Sequence, residues 1–95
     1  MRLSDSERGA LIGAVKAVDV DAQVWLFGSR TDDSKKGGDI DVAILSKKIG
    51  LAERMRIRRN ITDRIGDQKI DLVVSADGSD PFFRLAVETG VRLDE

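Results

Sequence analysis

The chain is predicted to fold as one α/β domain spanning residues 1–95, with helices packed on a small sheet. Three observations predict it. Short runs rich in β-branched and aromatic residues fall at 22–27, 39–45 and 69–74. Segments with helical apolar spacing fall at 5–18 and 51–65, between and around them. The two kinds of segment alternate, which is the pattern of helices layered on a sheet.

Ser4-Asp5-Ser6-Glu7 has the form of a capping box, and Leu11, Val15 and Val18 follow at helical spacing with Ile12 beside them. Asp19-Val20-Asp21 breaks that pattern before the first strand, which ends at Gly28. Residues 30–38 are polar and close with two glycines, so they read as a loop. In the second strand Ile40, Val42 and Ile44 share one face, while Asp39, Asp41, Ala43 and Leu45 share the other. The 51–65 helix carries Leu51, Met55, Ile57, Ile61 and Ile65 within one broad apolar arc and stops at Gly66. The third strand sets Asp71 opposite Ile70, Leu72 and Val74. Asp80-Pro81 then opens a helix as N-cap and first helical residue, Gly90 suits the position after its end, and 91–93 return as a short edge strand.

Composition excludes several kinds of function. Apolar residues at 41 % and charged residues at 35 % describe a globular chain rather than a disordered one. Sixteen basic and seventeen acidic residues leave a net charge of −1, which gives no support for a general nucleic-acid binder. Cysteine and histidine are both absent, so disulfide frameworks, zinc fingers, thiol nucleophiles and histidine triads are excluded. A metal would have to be held by oxygen, which favours magnesium, calcium or manganese. The polar opening and the brevity of the apolar runs predict no membrane span and a cytoplasmic location.

Gly28-Ser29 follows a strand, Asp39-Ile40-Asp41 opens the next, and Asp71 lies in a third. Carboxylates two residues apart on a strand share a face, with α-carbons about 6.5–7 Å apart, and repel one another unless a cation lies between them. A third carboxylate on a neighbouring strand completes an oxygen-rich site suited to one or two magnesium ions, which can clamp a phosphoryl group. Glycine lets the backbone approach a phosphate, and a helical turn opening at Ser29 points free N–H groups and a hydroxyl at an anion. Arg30 adds a guanidinium suited to phosphate oxygens.

The segment Phe27-Gly28-Ser29-Arg30, then Gly38-Asp39-Ile40-Asp41-Val42-Ala43, then Lys69-Ile70-Asp71-Leu72-Val73 resembles the DNA polymerase β-like nucleotidyltransferase superfamily. More narrowly, it is similar to the minimal nucleotidyltransferases, and the likeness covers nearly the whole chain. The resemblance implies a polymerase β palm-like domain, a small mixed sheet flanked by helices. It implies two magnesium ions held by Asp39, Asp41 and Asp71, which are also the catalytic residues. ATP or another nucleoside triphosphate would lie on Gly28, Ser29 and Arg30, and its nucleoside monophosphate would pass to an acceptor hydroxyl. Minimal members lack an added acceptor-binding domain, so another chain is expected to supply the acceptor. The expected partner is a helical protein of the HEPN class, the chain acting as an antitoxin that adenylylates it. The alternative is an antitoxin that neutralises its partner by masking it, without turnover.

Other residues carry plainer expectations. Lys35 and Lys36 read as surface loop, with steering of a triphosphate as the alternative, and Arg56 and Arg59 as solvated. Arg54 and Arg58 fall inside the apolar arc of 51–65, where they extend apolar stems to water or meet an acidic partner or nucleotide. Trp25 and Phe27 read as core or a helix-packing face rather than as a base-stacking platform, and Phe82 and Phe83 as core or partner contact.

Overall fold

A computed structural model describes residues 2–32 and 38–95; the loop lysines Lys35 and Lys36 lie outside the described residues. The element order is α1 (Asp5–Val18), β1 (Gln23–Phe27), a 3-10 turn (Gly28–Thr31), β2 (Ile40–Leu45), α2 (Leu51–Ile65), β3 (Ile70–Ser75), α3 (Pro81–Thr89) and β4 (Val91–Arg92). The sheet runs β3-β2-β1-β4. β1 is antiparallel to both β2 and β4, while β2 and β3 are parallel, joined by the α2 crossover that parallel neighbours require. This is the expected small α/β fold with a mixed sheet. No helix among the described residues is long and apolar enough to cross a membrane.

Local chemistry accounts for the helix ends. The Ser4 hydroxyl accepts from Glu7 N–H at 3.1 Å, and the Glu7 carboxylate accepts from Ser4 N–H at 2.9 Å. The Asp80 carboxylate accepts from Phe82 and Phe83 N–H, with Pro81 at the first helical position.

Alternation along the strands sends the two sheet faces to different partners. Val24, Leu26, Ile40, Val42, Ile44, Ile70 and Leu72 join Leu11 and Val15 of α1 and Ile57 and Ile61 of α2 in the main core. On the opposite face Trp25, Phe27, Ala43, Leu45 and Val73 meet Phe83, Ala86 and Val87 of α3. The first face is covered along β1, β2 and β3 except at Val74, which is partly buried. The second is covered by one short helix, and it is the face that carries Asp41 and Asp71.

The apolar arc of α2 is narrower than its sequence suggests. Ile57 and Ile61 are buried, whereas Leu51 and Met55 are 76 % and 55 % exposed. At about 100° per residue, Ile57, Ile61 and Ile65 form one stripe, and Leu51 and Met55 lie beyond its edge. Arg58, also beyond it, donates from Nε to the Ile70 carbonyl at 3.3 Å and so ties α2 to the start of β3.

The chain is closed by a carboxylate that sequence reading did not single out. Asp94 accepts from Val24 N–H at 3.0 Å, Arg92 Nε at 2.7 Å and Lys16 Nζ at 3.2 Å, joining α1, β1 and β4. Burial disfavours its charge, but the bonds from Arg92, Val24 and Lys16 outweigh burial and hold its carboxyl far below the usual range. A carboxyl depressed in the folded state stabilises above its unfolded value near pH 4, and that contribution is lost as pH falls toward the folded value. Asp94→Ala is expected to cost about 2–3 kcal/mol in urea unfolding at pH 7, the worth of hydrogen bonds to a buried charge. The difference from wild type should shrink in acid.

Candidate nucleotidyl-transfer site

The site is assembled by strand register. Asp41 and Asp71 are direct partners across the parallel β2–β3 pair, so their side chains leave the same face of adjacent strands. Asp39 lies one residue ahead of β2 and two before Asp41, close enough for its charge to act on the Asp41 carboxyl. Ile40 N–H donates to the Lys69 carbonyl at 3.0 Å, which carries the β2–β3 pairing to the mouth of the sheet where Asp39 sits.

The other wall of the site comes from β1. Phe27 is the antiparallel partner of Asp41, and Gly28 follows it with φ 79°. A methyl group at Gly28 would stand 3.1 Å from Asp41 Cγ and closer still to Oδ2. Glycine is therefore required twice, for the backbone conformation and for the carboxylate lying against it. Thr31 Oγ1 donates to the Gly28 carbonyl at 2.7 Å and closes the turn. Ser29 occupies the turn's second position, and the expectation for its hydroxyl lies outside what is described.

Burial raises the Asp41 carboxyl above its ordinary value, and the charges of Asp71 and Asp39 raise it further, while Lys69 opposes the rise. Lys69 Nζ stands 3.4 Å from Asp39 Oδ2. Lys69 lies two residues before Asp71 and hence on its face, a period-2 relation that could have flagged it in the sequence. Among the described residues, no three acidic side chains converge closely enough to enclose a metal ion as they stand. The donors present are nonetheless all carboxylate oxygens of like charge, the set that a hard divalent cation takes.

Arg30 has partners of its own. Its guanidinium donates to the carbonyls of Arg2 at 2.8 Å and Gly38 at 3.3 Å and to Gln68 at 3.3 Å, with Glu7 at 3.5 Å. It binds the start of the chain, α1 and the segment before β3 to the residue preceding Asp39. This gives Arg30 a positioning task besides the expected phosphate contact, and Glu7 and Gln68 a part that sequence reading missed. The concavity lined by Asp19, Leu45, Ser46 and Lys47 lies at the far end of β2 from Asp41 and forms no part of the site.

The model of the family described as polymerase beta, nucleotidyltransferase matches residues 15–94. The chain belongs to that family. The match spans the Gly28 turn and all three aspartates, so the family's domain and the carboxylate cluster coincide. No curated protein matches the chain.

Proposed function

We propose that the chain is a magnesium-dependent nucleotidyltransferase of minimal type, which transfers AMP from ATP to an acceptor hydroxyl. The observation that carries this reading is the Asp41–Asp71 register with Gly28 packed against Asp41, inside a chain of this family. Asp39 and Asp41 would hold both ions and Asp71 the one on the acceptor side; bound magnesium would neutralise phosphate charge and acidify the acceptor hydroxyl. The Gly28–Thr31 turn presents backbone N–H groups to the triphosphate. The acceptor oxygen bonds to the α-phosphorus as the bond to the bridging oxygen breaks, and pyrophosphate leaves. Asp71, the exposed member of the pair, takes the proton of the attacking hydroxyl, since no histidine exists to do so. Lys69 stands where it can shield the carboxylates from one another before substrate arrives.

The acceptor is proposed on the resemblance to minimal nucleotidyltransferases: a hydroxyl on a HEPN-type toxin, which the transfer inactivates. The test is transfer of label from α-labelled ATP with magnesium into proteins of the source cell's extract. A labelled band that disappears with Asp39→Ala/Asp41→Ala supports protein adenylylation and identifies the target. Neutralisation of the partner without nucleotide, by the variant as well as the wild type, would replace catalysis by masking.

A further inference from the structure

Phe82 is 57 % exposed in the first turn of α3, although the core beneath that helix is complete without it. Its neighbour Phe83 fills that core, 3 % exposed and edge-on to Trp25 with ring centroids 5.7 Å apart. Phe82 instead meets Phe27 edge-on, at 6.1 Å and 78°. Phe27 is the register partner of Asp41, which is the register partner of Asp71. A single row across this face of the sheet therefore reads Asp71, Asp41, Phe27, with Phe82 against the last of them. Leu85, one turn further along α3 and also 57 % exposed, continues the apolar ledge.

The chain has one tryptophan, three phenylalanines, and no tyrosine or histidine. Trp25 and Phe27 are half-buried and Phe83 is buried, so Phe82 is the aromatic ring left exposed. A nucleoside triphosphate held by its phosphates at the Gly28 turn still carries a flat apolar base that gains from stacking on a ring. We propose that Phe82, braced by Phe27, is the surface on which that base stacks, which makes it a specificity residue favouring the larger purine face. The inference rests on the nucleotidyltransferase reading of the carboxylate site.

The test is calorimetric titration of ATP, and separately of inorganic tripolyphosphate, into the full chain with magnesium. Wild type is compared with Phe82→Ala and with Phe82→Leu, which keeps apolar bulk but removes the ring. ATP is expected to bind about 5- to 100-fold more weakly to both variants, the range for loss of one aromatic–base stack. Tripolyphosphate, having no base, should bind all three alike, and in parallel titrations of GTP, CTP and UTP the preference for purine over pyrimidine triphosphates should narrow. Unchanged ATP affinity in both variants would overturn the assignment, as would an equal loss for ATP and tripolyphosphate. If neither ligand binds wild type, the nucleotidyltransferase reading itself fails and the stacking site falls with it.

Discussion

Asp41→Asn is expected to reduce nucleotidyl transfer by about 10³-fold or more, because groups that act together on one phosphoryl centre fail together. The same substitution should raise the melting temperature of the metal-free protein. Asp41 lies half-buried beside Asp71 and within the field of Asp39, and both burial and those charges push its carboxyl upward. A carboxyl raised in the folded state binds protons more tightly there than in the unfolded chain. Its contribution to stability therefore falls as pH rises from the unfolded value near 4 through the folded value. Asparagine removes that cost, so the gain should be present at pH 7 in a chelating buffer and absent well below pH 4. The sign is opposite to that for Asp94, where hydrogen bonds outweigh burial. Thermal scans of the variant at the two pH values, beside rates of label transfer, check both halves. A lower melting temperature at pH 7 would mean that Asp41 stabilises the fold, and an unchanged transfer rate that it takes no part in the chemistry.

Gly28→Ala should damage both the fold and the site. The residue has φ 79°, where an L side chain costs about 1–2 kcal/mol, and its new methyl would press on the Asp41 carboxylate. Relief requires either the turn or Asp41 to move. A shift of about 1 Å at a reacting group costs on the order of 10²-fold in rate. The expected result is a loss of about 1–3 kcal/mol in urea unfolding, with transfer reduced by about 10²-fold or more at temperatures where the variant is folded. Activity within a few-fold of wild type would show that Gly28 does not set the position of Asp41.

The placement of the site was legible because it depends on short-range rules. Alternation in 39–45 separated Ile40, Val42 and Ile44 from Asp41 and Ala43, and the structure buries the first set under α1 and α2. Asp71 fell on the matching face by the same rule, although its register with Asp41 comes from pairing that no local pattern fixes. Features set by long-range packing were not legible. Leu51 and Met55 share apolar character with Ile57 and Ile61 in one broad arc, and how α2 packs on α1 decides which edge of that arc is buried. The adjacent pair Phe82 and Phe83 could not be ranked until α3 was laid across the sheet. Asp94 looked like an ordinary charge, and Arg30 was legible as a phosphate contact but not as a tie between segments. Their roles depend on partners distant in sequence, Val24 and Lys16 for the first, Arg2, Glu7 and Gln68 for the second.

Under the proposed function, Asp39, Asp41 and Asp71 form a divalent-cation site that works with a nucleoside triphosphate. Its most direct test is titration of the purified chain with manganese, followed by electron paramagnetic resonance of the free ion, with and without ATP. Manganese prefers the same oxygen donors as magnesium and reports binding without any acceptor. Bound manganese is expected in wild type, tightened by ATP, with both effects lost in the Asp39→Ala/Asp41→Ala variant. Equal manganese and ATP binding by wild type and variant would contradict it.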